Sequence, residues 1–286
     1  MIEIFILCRN RPILAKKCIE SVQLQVKKNY KIVISDNSTD NRVQDLCEKY
    51  FTSLEYRKRD NIPMMHHFEI CIKEAKENYY CLFHDDDLML PFFTYFIDIA
   101  ISKFPESIAF GVNSYVLNRD NTLNHKFFFD YKKYTNISDP DELSFRYFSK
   151  HSNGFAAFPG YVYCRARTEI ISFPTINGIN ADFIWLAKLI KEGPILLINK
   201  SLMIYRYHES NVSNIEVFKD RMSLLAYIKN NLSEKSIFMY RFFIVRTLAS
   251  FRLRNAYVKK YKLKYIELRL ILFLKYVVIR IHQKFN

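Results

Sequence analysis

Over its first ninety residues the chain alternates short apolar runs with segments of helical spacing. That alternation restricts the fold more than any other feature. Ile2–Cys8 reads as a buried strand, and Arg9-Asn10-Arg11 as a polar loop. A helix is predicted from Pro12 to about Val26, with Leu14, Cys18 and Val22 near helical spacing. Tyr30–Ser35 is a second strand, and a second helix runs through Val43, Leu46, Cys47 and Tyr50. Leu54–Arg57 is a short third strand, Met65–Lys76 a helix, and Tyr79–Phe83 a further strand. Strand and helix in alternation imply a mostly parallel sheet with helices on its faces. Ligands bind such sheets at the carboxyl ends of the strands. Three of those ends are polar here: Arg9-Asn10-Arg11, Asp36-Asn37, and His84 to Asp87.

The last of these carries three adjacent carboxylates, Asp85, Asp86 and Asp87. Neighbouring carboxylates repel and are costly to bury together, so a positive charge should offset them. A hard divalent cation, Mg²⁺ or Mn²⁺, is the simplest candidate, because it joins one or two carboxylates to a substrate's phosphates. By itself an Asp-Asp-Asp run reads as a solvated acidic turn.

Composition removes several alternatives. The five glycines fall in neither a GxGxxG nor a Walker A pattern, which argues against a Rossmann dinucleotide site and a P-loop. No two of the six cysteines form a CxxC pair, so a structural zinc site is not expected, and a reducing, cytosolic compartment is. No basic segment precedes the first apolar run, so no signal peptide is expected. The net charge of +14 sits in the tail: 16 basic and 4 acidic residues follow position 214, against 27 and 25 before it.

Four segments, in order, resemble those of family 2 glycosyltransferases of the GT-A fold. They are Ile6–Pro12; Ile34–Asp40; His84–Pro91; and Asn180–Leu186 together with Tyr205–Ser213. The resemblance covers about residues 2 to 213. It implies an α/β, GT-A, Rossmann-like sheet flanked by helices, with a basic C-terminal helical extension. The catalytic domain would span 1–214, with a nucleotide-binding half of about 1–112 and an acceptor half of about 113–214. The extension would span 215–286.

The resemblance also distributes roles. Cys8, Asn10, Arg11, Asp36, Asp85 and Arg206 would bind the donor nucleotide. Asp86, Asp87 and His208 would surround the metal, Mn²⁺ or Mg²⁺. Asp86 is the principal ligand when the motif is registered from Pro91, with Asp87 behind it. Asp182 would be the catalytic base. Two positions depart from the family: Ser35 stands where an aspartate is usual, and His84 replaces the first aspartate of the metal motif. From the residues alone, Asp182 reads as a helix N-cap and Trp185 as core. His66-His67 lacks the i, i+4 spacing of helix ligands and reads as surface or pocket wall.

The activity implied is inverting, metal-dependent transfer of a hexose from a nucleotide sugar, most simply a UDP-sugar. The acceptor would be a lipid-linked or growing bacterial surface glycan, a capsule or lipopolysaccharide precursor. A sugar-nucleotide pyrophosphorylase would open with a glycine-rich phosphate loop, which is missing near residue 10. The tail is too often interrupted by charge to span a membrane. It reads as helices resting on an anionic membrane surface at the cytoplasmic face, or as a helical cap on the catalytic domain. A non-catalytic membrane- or nucleic-acid-binding protein is a third reading. The tail holds no recognisable nucleic-acid module, and no nucleic-acid partner is expected. Residues 114 to 150 carry no readable pattern.

Overall fold

A run of residues apolar on both faces can satisfy its backbone only inside a sheet, and β1 (Ile2–Cys8) is buried along its whole length. The computed structural model describes residues 1–124, 129, 132–148, 154–176, 178–207 and 218–250. In chain order, β1 is followed by α1 (Pro12–Gln23), β2 (Tyr30–Asp36), α2 (Arg42–Tyr50), β3 (Glu55–Lys58) and α3 (Met64–Glu74). Then come β4 (Tyr79–His84), β5 (Leu88–Met89), α4 (Phe93–Lys103), β6 (Ala109–Leu117), β7 (Leu123–Asn124) and β8 (Tyr134–Ile137). The described chain closes with α5 (Pro140–Phe148), β9 (Tyr161–Cys164), α6 (Arg165–Thr168), α7 (Ala181–Leu189), β10 (Ile195–Arg206), α8 (Phe218–Asn231) and α9 (Glu234–Ser250). The predicted elements of the first ninety residues are all present, with ends shifted by a few residues.

All ten strands form one sheet in the order β3-β2-β1-β4-β9-β6-β10-β5, with β7 beside β6 and β8 beside β10. β1 pairs in parallel with β2 and β4. Its register sets Cys8 opposite Asp36 and Leu7 opposite both Ser35 and His84. The three polar strand ends therefore stand side by side. β9 runs antiparallel between β4 and β6. This makes the sheet mixed and gives the segment after Phe155 its return strand.

Apolar side chains alternate along each strand and so build two cores. Phe5, Leu7, Tyr80 and Leu82 meet α3, α5, α7, α8 and α9 on one face. Ile4, Ile6, Cys8, Cys81 and Phe83 meet α1, α2 and α4 on the other. The first part of the extension is thus a helical cap. Leu224, Ile228, Ile237 and Tyr240 are buried in the first core, and Tyr240 packs on Phe148 with ring centroids 4.8 Å apart. Residues 251–286 lie outside the described residues. Among the described residues no helix is long and apolar enough to cross a membrane.

Gly111 on β6 pairs with Tyr161 on β9. A Cβ there would sit 2.6 Å from Cε1 of Tyr161 and 2.9 Å from Cβ of Ala156. Gly111→Ala should therefore destabilise the fold by about 1–3 kcal/mol, the usual cost of overpacking. Urea unfolding measures this, and an unchanged midpoint would show that the Tyr161 ring can move aside.

Candidate active site

The Asp85–Asp87 turn follows β4 directly, and its three carboxylates are buried. Asp85 accepts the Arg9 backbone N–H at 2.9 Å through Oδ2, and Nη2 of Arg11 at 2.5 Å through Oδ1. Asp86 accepts Nη1 of Arg11 at 2.6 Å. One guanidinium thus bridges two carboxylates, a strong charge-assisted arrangement. The positive charge that the cluster requires comes in part from Arg11 at the start of α1. Asp87 accepts the backbone N–H of Arg206 at 2.9 Å, which ties the end of β10 to the turn. Burial pushes the Asp85 carboxyl up to about 7 against the pull of Arg11. Burial and the neighbouring Asp86 raise Asp87 well above the usual carboxylate range.

The β1 and β2 loops are locked together. Asn10 has a positive φ of 56°, which its short polar side chain tolerates. Its backbone N–H donates to Ser38 Oγ at 2.8 Å, and its Oδ1 accepts the Thr39 N–H at 2.9 Å. Asp36 is buried. It accepts the Ser38 N–H at 2.9 Å, the Tyr56 hydroxyl at 2.7 Å and Nζ of Lys58 at 3.2 Å. Cys8 departs from the donor-pocket expectation. Its side chain is on the Ile4 and Ile6 face, buried in the core against α1, with its thiol raised by burial. Of the pair read as surface or pocket wall, His66 is exposed and His67 is not. His67 is buried with Nε2 2.7 Å from Ser35 Oγ, and burial pushes it down to about 4. Arg59 also donates to Ser35 Oγ, at 2.9 Å.

Asp182 stands in the first turn of α7, whose N-cap is Asn180. Its carboxylate accepts the Phe183 N–H at 2.7 Å and the Tyr147 hydroxyl at 3.1 and 3.3 Å. The Tyr147 ring stacks on Phe155, 4.1 Å between centroids. Burial of most of the side chain pushes Asp182 up to about 6. Trp185, one turn on, is core, as its apolar surroundings require. Ring contacts run from His84 through Phe158 and Phe173 to Trp185, so a row of aromatic rings links α7 to the end of β4.

The family model described as Glycosyl transferase family 2 matches residues 3–158. The chain belongs to glycosyl transferase family 2. No curated protein matches it in sequence. Among solved structures it is similar to that of S. aureus TarS, covering 88% of this chain and 44% of that one at TM-score 0.63 and 14% identity. TarS 1–349 in complex with UDP-GlcNAc is similar over 95% and 79% of the two chains, at TM-score 0.66 and 15% identity. The same fragment in complex with UDP gives 91% and 75%, at 0.64 and 14%. At these identities the likeness concerns the fold, which is GT-A. The present chain spans less than half of the full TarS chain.

A family 2 member is a glycosyltransferase, and its strand-end cluster has the donors for a cation. One ligand atom each from His84, Asp86 and Asp87 lies within 4.8 Å of the others. Nε2 of His84 and Oδ2 of Asp87 are buried and have no hydrogen-bond partner among the described residues. Burial lowers the His84 pKa, which favours the neutral imidazole that a metal needs. The donor set thus fits a divalent cation, with two carboxylates and one imidazole.

Of the residues read from sequence, Arg11, Asp85, Asp86, Asp87 and Arg206 meet at one point. Asn10 and Asp36 meet in the adjoining loop. His208 lies outside the described residues. Both oxygens of Asp85 are engaged, by the Arg9 backbone and by Arg11. Two residues escaped the sequence reading. His84 was treated as a lost aspartate, although histidine is itself a ligand type. Tyr147 lies in the unreadable segment, where Asp139-Pro140-Asp141-Glu142 carried a helix-start signal.

Proposed function

We propose that this family 2 glycosyltransferase transfers a hexose, with inversion, from a UDP-sugar to a hydroxyl of a lipid-linked or growing surface glycan. The observation that carries this reading is the grouping of His84, Asp86 and Asp87 at the end of β4, beside the β1 and β2 loops. Residues 1–112 would hold the donor and 113–214 the acceptor. The protein would work at the cytoplasmic face of a membrane, with the basic extension toward anionic lipid. Asp86, Asp87 and His84 would hold Mn²⁺ or Mg²⁺, and the family segment Tyr205–Ser213 assigns His208 to the same ion. A divalent cation there would stabilise the charge that develops on the departing diphosphate. Arg206 adds positive charge beside the turn. Asp36 and Asn10 hold the loops that would enclose base and ribose. Asp182 takes the proton of the attacking hydroxyl.

A panel of nucleotide sugars, assayed for free nucleoside diphosphate with and without Mn²⁺ or Mg²⁺, tests the reading. UDP release that needs the cation is the expected result. Turnover of no UDP-sugar, or full turnover in chelator, would overturn it.

Asp182 must be ionised to accept a proton, so turnover should fall about tenfold per pH unit below about pH 6. The Tyr147 hydroxyl donates to the ionised form and favours it. Tyr147→Phe should move the acid limb up by about half to one pH unit, the worth of one hydrogen bond. A pH–rate profile with an unmoved limb would remove Tyr147 from this role.

A further inference from the structure

Helix α4 buries Phe93, Thr94, Ile97 and Ala100 against the core and turns a second apolar stripe outward. Phe92, Tyr95 and Ile99 are 51%, 43% and 37% exposed, and their spacing puts them on one face. The loop after α1 widens the stripe. The Val26 N–H donates to the Pro91 carbonyl at 2.8 Å, and Nε2 of Gln25 donates to the Leu90 carbonyl at 2.9 Å. Leu24 and Val26 are 68% and 58% exposed on that loop. A group of exposed large apolar side chains on this scale marks a contact surface.

Its borders identify the partner. On one side Lys27 pairs with Asp98, and Lys28 follows it. On the other, Lys103 lies 5.2 Å from the Tyr134 ring centre, and Lys200 lies 4.3 Å above the Phe96 ring. Asp98 is the sole acid within α4, and Lys27 and Asn29 both hold it. A shallow depression of about 410 Å³ between the borders is lined by Lys27, Asp98, Ile99, Ser102 and Lys103. Aromatic and aliphatic groups flanked by lysines match the boundary between headgroups and acyl chains in an anionic bilayer. A second copy fits poorly, because a two-fold contact would bring the same lysines together.

We propose that α4 and the 24–28 loop form a membrane-docking surface for anionic phospholipid, with the depression seating a headgroup phosphate. The surface lies on the sheet face opposite α8 and α9. It rests on neither the donor nor the metal assignment.

The full chain, sedimented with phosphatidylglycerol–phosphatidylcholine vesicles and with phosphatidylcholine vesicles, tests this. Partitioning onto the anionic vesicles is expected, with little onto the neutral ones. Lys103→Glu/Lys200→Glu should lower the partition coefficient by at least about tenfold. Tyr95→Ser/Ile99→Ser should lower it to a similar degree. Thermal midpoints in solution should stay near that of the parent chain for both variants. Three results would overturn the proposal: no anionic preference, unchanged partitioning of both variants, or a dimer in sedimentation velocity that Ile99→Ser abolishes without any vesicle binding.

Discussion

Asp182→Asn is expected to lower turnover by about 10²–10⁴-fold while leaving donor affinity within a few-fold of the parent. The amide keeps the shape of the carboxylate, and its one oxygen, in the place of Oδ1, can still accept the Phe183 N–H and the Tyr147 hydroxyl, so α7 should keep its geometry. Only the capacity to take a proton is lost. A pure loss of turnover is the mark of an interaction that acts in the transition state. Steady-state kinetics with saturating donor, paired with calorimetric UDP binding, separates the two quantities. Full transfer activity in the variant would place the base elsewhere. A large loss of UDP binding would make Asp182 a structural residue of the first turn of α7.

Arg11→Met should have the largest effect on stability. Its guanidinium bridges Asp85 and Asp86, and the methionine would take that charge away from between two buried carboxylates. Removing one partner of a buried pair costs about 3–5 kcal/mol. In a domain of this size that is a loss of about 10 °C or more in melting temperature. The sign with pH follows from Asp85, whose pKa is already raised to about 7. Such a group destabilises the fold when ionised, so the deficit should be full near pH 8 and should shrink toward pH 5 as Asp85 takes a proton. Mn²⁺ should restore more of the melting temperature in the variant than in the parent, because a bound cation would supply the missing charge. Thermal denaturation at both pH values, with and without Mn²⁺, measures all three. A melting temperature unchanged at pH 8 would mean that other groups balance the cluster.

Much of this site could be read in the sequence because the strands announce themselves. Ile2–Cys8 and Tyr79–Phe83 are apolar on both faces, and such runs have few places to go but the middle of a parallel sheet. Once they pair, Asp36 and Asp85–Asp87 are neighbours by register alone. What could not be read depends on that same register. Arg11 and Asp86 are 75 positions apart, and nothing local joins them. Cys8 could have been excluded, since strand alternation puts it on the side of Ile4 and Ile6. The placement of β9 between β4 and β6 lies beyond the reach of pattern, because antiparallel insertion leaves no periodic trace. Composition left the extension between a membrane surface and a helical cap, and its first two helices take the cap position through Leu224, Ile228, Ile237 and Tyr240.

The sheet separates the interior into two apolar compartments that share only backbone. A cavity cut beneath α1, as by Ile19→Ala, should not be felt by side chains beneath α7, such as Ile184. Stability losses from opposite compartments should therefore add to within about 0.3–0.5 kcal/mol, whereas pairs within one compartment should not. The chain then behaves as two half-proteins laminated to one wall. The helices under the three polar loops, α1 and α2, could be repacked while the wall holds Asp182 and its neighbours in register.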